Sequence, residues 1–135
     1  MERRDARLLV VDDDPSALQH ALQSLGCGCV DVASDAGCAV QSLAQEDYDL
    51  IISGWESPAI SGVELLKLIR HTPRLAEVPV VVSTLMTPTL LADAASAGAS
   101  AFLLRPFRLE TLEELLNIFL GGHVLQLEAR PSFRQ

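Results

Sequence analysis

Basic charge, aromatic rings and paired cysteines are all scarce in this chain of 135 residues. Ten Lys and Arg face eighteen Asp and Glu, a formal charge of −8, so the chain repels nucleic acid and anionic membrane at long range. A protein partner or a small cation suits it better. Cys27, Cys29 and Cys38 are odd in number and lack a CxxC pair or a clustered histidine, which argues for free cytoplasmic thiols over zinc or a disulfide framework. His20, His71 and His123 are scattered and share no motif. Long apolar runs are missing too: MERRDARLLVV carries charge and its apolar stretch stops at Asp12, so it reads neither as a signal peptide nor as a membrane span. The last absence is local. In DLIISGWESPAISG, Gly54 stands where an acidic neighbourhood leads one to expect an aspartate.

What is present is apolar and regularly punctuated. At 49% apolar residues, the chain can bury the core of one domain and has no room for a second. Leu8 to Val11 is an unbroken apolar run ending in acids, as in a parallel strand buried on both faces. Pro15 then suits a first helical turn with Asp14 as its cap, followed by a stripe of Ala17, Leu18, Ala21, Leu22 and Leu25 that Gly26 stops. CVDVA predicts a second strand, Ala36 to Ala44 a helix, and Tyr48 to Ser53 a third strand. Beyond a loop at Pro58 to Gly62, Val63, Leu65, Leu66, Leu68 and Ile69 recur at helical spacing until His71 and Pro73. VPVVVST is the fourth strand, Thr87 and Pro88 open an Ala-rich helix that closes at Gly98, AFLL is the fifth strand, and Leu109 to Leu120 is the last helix.

Five alternations of strand and helix predict an α/β doubly wound fold, because right-handed crossovers place helices on both faces of a parallel sheet. Working groups in such sheets gather at the carboxyl ends of the strands. Those ends carry Asp12 and Asp13 after the first strand, Gly54 after the third, Thr84 after the fourth and Arg105 after the fifth. Two carboxylates, a hydroxyl and a fixed cation in one crevice suit a hard metal ion and a phosphoryl group.

With VVDDDPS, DLIISGWESPAISGVELLKLIR, VPVVVST, AGASAFLLRPF and LETLEELLNIF in place, the chain from Ala6 to Leu120 resembles the receiver domain of bacterial two-component response regulators, most of all the single-domain chemotaxis type. The resemblance implies a flavodoxin-like (βα)5 fold with strand order 2-1-3-4-5, Asp12 and Asp13 as Mg²⁺ ligands, and position 54 as the acceptor of phosphate from a histidine kinase. It also implies Thr84 and Phe102 as the switch pair, Arg105 at the position of the family's lysine, and a cis bond before Pro106. The partner face it implies runs past Leu85, Met86, Leu90 and Leu91, where exposed apolar groups would suit a signalling protein or a homodimer.

Two departures redirect that reading. Glycine has no side chain on which an acyl phosphate can form, and its absence removes an oxygen ligand, so Mg²⁺ is expected to bind weakly and no cofactor is required. Ser53 alternates to the other side of the strand and is a poor substitute acceptor. Glu56 lies just beyond and offers constant negative charge to the pocket. Arg105 is larger than lysine and able to hold a carboxylate in a fork, which predicts an internal pair with Asp12, Asp13 or Glu56 in place of the cation.

The sequence therefore predicts a cytoplasmic pseudo-receiver over residues 1–120, a non-enzymatic protein-interaction module, followed by a tail or linker at 121–135. The alternative is a conventional Mg²⁺-dependent phosphorelay receiver whose acceptor Asp was changed to Gly54. A flavin-binding protein is disfavoured because the acids of DDDPS repel a phosphate, and no G-x-S-x-G elbow marks a hydrolase.

Overall fold

In a computed structural model, the structure describes residues 2–57, 60–85 and 88–120, with the backbone alone at 56, 57, 60 and 88. Five strands, β1 (Arg7–Val11), β2 (Cys29–Ala33), β3 (Leu50–Gly54), β4 (Val80–Thr84) and β5 (Ala101–Leu104), form one sheet. Five helices connect or follow them: α1 (Ser16–Ser24), α2 (Ala36–Gln45), α3 (Gly62–His71), α4 (Pro88–Ala97) and α5 (Leu109–Leu120). Every pairing in the sheet is parallel and the order is β2-β1-β3-β4-β5. The predicted doubly wound, flavodoxin-like fold and its strand order are therefore present.

The apolar runs explain why the sheet is buried on both faces. Successive side chains point to opposite sides, and β1 divides accordingly. Leu9 and Val11 join Ile51, Leu65, Leu66, Ile69, Val82 and Ala94 in a core beneath α2, α3 and α4. Leu8 and Val10 join Leu18, Leu22, Ile52, Leu103, Leu112 and Leu116 beneath α1 and α5. The two layers fix the register, since a one-residue slip would exchange the faces. Arg70 reinforces the third crossover: its Nε donates to the Gly98 carbonyl at 2.9 Å and its guanidinium also to the Val78 carbonyl at 2.7 Å, tying the end of α3 to the end of α4.

Several local expectations are corrected. Asp14 does not cap α1: the N-cap is Pro15 with no side-chain bond, and the backbone N–H of Asp14 instead donates to Asp12 Oδ1 at 3.0 Å. Ala17 is exposed, so the stripe of α1 rests on Leu18 and Leu22. Leu68 is likewise exposed. The third strand starts at Leu50 and the fourth at Val80, each two residues later than the apolar run suggests. A two-residue antiparallel pairing, Glu56–Ser57 with Ile60–Ser61, precedes α3 where a plain loop was expected. Gly26 and Gly98 adopt φ of 96° and 108°, the left-handed conformation in which glycine ends a helix at least cost. All three cysteines are free, Cys27 buried and Cys29 and Cys38 exposed. Among the described residues no helix is long and apolar enough to cross a membrane.

Candidate functional site

The parallel strands deliver their carboxyl ends to one edge. Gly54 closes β3 and pairs in register with Ser83, next to Thr84, the last residue of β4. Thr84 pairs with Leu104 at the end of β5, and the backbone N–H of Arg105 donates to the Thr84 carbonyl at 3.0 Å. Asp12 follows β1 directly, its N–H held by the Ala33 carbonyl at 3.0 Å. The backbone thus brings Asp12, Asp13, Gly54, Thr84 and Arg105 to the same edge. The Arg105–Pro106 peptide bond is cis.

Charge at this edge is in competition. Burial raises the Asp12 carboxyl above its ordinary range; the N–H of Asp14 pulls it down, the neighbouring Asp13 raises it again, and the Arg105 cation opposes that rise. Desolvation of a carboxylate beside a second acid outweighs the stabilising groups. Arg105 is half-buried and acts on Asp12 through its charge. Its buried Nε finds no hydrogen-bond acceptor among the described residues, although the residue itself is not without a partner.

The remaining predicted residues divide clearly. Thr84 is fully buried, and Phe102 is partly buried against the core beneath α2 to α4. Ser53 is buried and its hydroxyl donates to the Gly54 carbonyl at 3.0 Å, so it is already committed. The side chain of Glu56 lies outside the described residues, as does Met86. Leu85 is 55% exposed, whereas Leu90 and Leu91 are partly buried and Leu90 packs on the core.

Space at the two glycines of the site differs. A Cβ built on Gly54 would meet only the Val11 carbonyl, at 3.6 Å, which is ordinary contact. A Cβ on Gly62 would fall 2.7 Å from the Gly54 carbonyl and 2.8 Å from two atoms of Trp55. Sequence reasoning placed Gly62 in a loop and missed this contact; the signal was a glycine at the first turn of a helix, where a better helix former costs less. Trp55, which follows Gly54, is 8% exposed and belongs to the core.

A parallel sheet ending in paired acids, a hydroxyl and a cation is the arrangement of a response regulator receiver domain. Residues 8–117 match that family, and the chain belongs to it. Chemotaxis protein CheY-3 of Vibrio cholerae serotype O1 is 30% identical over 118 residues, covering 84% of this chain and 91% of the relative. Among solved structures, chemotaxis response regulator CheY4 of Vibrio cholerae matches with a TM-score of 0.76 at 30% identity, covering 84% of this chain and 98% of that one. The receiver domain of a sensor histidine kinase from Pseudomonas aeruginosa PAO1, at TM-score 0.75 and 26% identity over 87% of this chain and 98% of that one, was solved with magnesium coordinated in its active site cleft. The present chain is a CheY-like receiver domain of two-component signalling.

The described carboxylates that this edge offers a cation are those of Asp12 and Asp13. No group of three or more Asp, Glu, His or Cys able to hold a metal ion occurs among the described residues. Asp12 already accepts the Asp14 N–H and lies under the field of the Arg105 cation. A hard cation takes six or more oxygen ligands, several of them carboxylates, and glycine at 54 supplies only a carbonyl.

Proposed function

We propose that this receiver is a pseudo-receiver, a protein-interaction module whose state is set by partner binding instead of phosphorylation. Gly54 carries the reading: the third strand ends on a residue with no group able to attack a phosphohistidine, and buried Ser53 is committed to a backbone carbonyl. Asp12 and Asp13 remain as an acidic pocket, Arg105 stands at the lysine position, and Thr84 with Phe102 forms the switch pair. Magnesium is dispensable here. The module performs no turnover of its own, occupies residues 1–120 and acts in the cytoplasm; the tail or linker at 121–135 lies outside the described residues. Its partners are signalling proteins, with neither nucleic acid nor membrane among them, consistent with a charge of −8. The partner face includes exposed Leu85 beside Leu90 and Leu91, a surface that also suits a homodimer. A partner shifts the switch only by preferring one arrangement of it.

One observation favours a second reading. A Cβ at position 54 meets only ordinary contact, so at that atom nothing bars a conventional phosphorelay receiver altered at this one position. Intact mass after incubation with Mg²⁺ and a small-molecule phosphodonor tests both. The pseudo-receiver predicts no adduct on the native chain and one on Gly54→Asp; an adduct on the native chain defeats it. An Asp codon in the encoding gene would establish the second reading.

A further inference from the structure

A cleft of about 320 Å³ lies between α3 and α4, and neither Asp12 nor Asp13 lines it. Trp55 forms its floor, Val63 and Lys67 line the α3 wall, and Asp93, Ser96 and Ala97 line the α4 wall. The α4 wall presents small side chains here: among its described residues only Ala94 is fully buried, while Ser96 is exposed and Ala97 partly exposed. Its floor and lower walls are apolar. At the rim, Lys67 and Asp93 are both exposed, on opposite walls, and neither side chain makes an ion pair among the described residues.

We infer that this cleft binds a free α-amino acid with a large apolar side chain. The volume is at the lower end of small-molecule sites, too small for a peptide helix and adequate for a single residue. An indole floor with Val63 and Ala97 takes an apolar body. Charges of opposite sign at one mouth, neither in an ion pair among the described residues, fit a head group that carries a carboxylate and an ammonium side by side: the carboxylate faces Lys67 and the ammonium faces Asp93. A ligand of one charge would satisfy only one wall. Occupancy would be felt at the degenerate site, because Trp55 follows Gly54 in the chain and its ring packs against Gly62. The inference holds whether or not phosphate is accepted elsewhere.

Trp55 is the only tryptophan, so its emission reports the cleft alone. Native protein is titrated with phenylalanine and leucine, with glycine, 3-phenylpropionate and phenethylamine as controls, and contact is checked by ligand-observed saturation-transfer NMR in case emission is silent. For ligands of about ten heavy atoms, half-saturation on the order of 1 mM is expected. Loss of either head group, or Lys67→Ala or Asp93→Asn in the protein, should each weaken binding about tenfold, and glycine should not bind. Both variants lie on the surface and leave the core intact. Absence of saturable binding by either readout overturns the inference, as does native affinity in both variants or an equal response to the single-charge analogues.

Discussion

The carbonyl oxygen of Gly54 lies 2.7 Å from the point where a Cβ on Gly62 would stand, so the end of β3 and the first turn of α3 touch through bare backbone. The atoms in the way are main chain and the Trp55 ring, none of them the free end of a flexible side chain. Gly62→Ala should therefore force the turn apart and cost about 1–3 kcal/mol, as overpacking of a core does. Gly54→Ala meets only ordinary contact and relieves a glycine in a strand, so it should be neutral or stabilising by about 0.5–1 kcal/mol. Urea midpoints of the two variants decide the matter. Equal effects would mean that the close approach relaxes without cost.

Gly54→Asp places a third acid beside Asp12 and Asp13. Without metal the variant should melt below the native chain, because like charges crowd a half-buried edge. With Mg²⁺ at ten times its dissociation constant, binding should return about 1.4 kcal/mol. The native chain should respond less at the same concentration. Thermal melts with and without Mg²⁺ test this, and an identical metal response in both proteins would show that the missing carboxylate does not limit the site.

Asp12 gives a pH signature. Burial and the adjacent Asp13 hold its carboxyl above the ordinary aspartate value, against the Asp14 N–H and Arg105. The folded chain thus binds this proton more tightly than the unfolded one, so the stability it contributes is complete below the ordinary value and is lost as pH rises through the raised one. Asp12→Asn keeps an oxygen for the Asp14 N–H and removes the charge. It should be more stable than the native chain at neutral pH, by a few tenths to about 1 kcal/mol after allowance for solvent screening. The advantage should vanish in acid, below the ordinary aspartate value. An advantage that persists there would assign the effect to something other than ionisation.

Much of this architecture is legible in residue order. AFLL and Leu109 to Leu120 coincide with β5 and α5, and the apolar runs at Leu8 and Val80 mark central strands, because burial on both faces leaves no polar alternation to confuse. The strand ends then bring Asp12, Gly54, Thr84 and Arg105 to one edge without further information. What escaped is nonlocal. That Asp12, and not Asp14, serves the turn before α1 depends on where β1 stops. The contact between Gly62 and Gly54 depends on how closely α3 approaches β3. The cleft over Trp55 depends on how α4 lies beside α3. None of these leaves a periodic mark, since each concerns the distance between elements.

Tyr48 offers a last test, of the sheet edge remote from the acidic pocket. Its hydroxyl donates to Asp31 Oδ2 at 2.7 Å and the ring is buried. Burial first, and then the Asp31 carboxylate, push the phenol up to about 12. It is the only tyrosine, so phenolate absorbance reads this group alone. The folded value lies above the unfolded one, so the stability contributed by the neutral phenol is intact below the ordinary tyrosine value and is lost as pH rises towards 12. Tyr48→Phe removes the bond while keeping the ring. It should cost about 0.5–1.5 kcal/mol at neutral pH, and it should flatten the alkaline decline that the native chain shows. A phenol that titrates at its ordinary value while the far-ultraviolet circular dichroism remains native would refute both the bond and the burial that holds it.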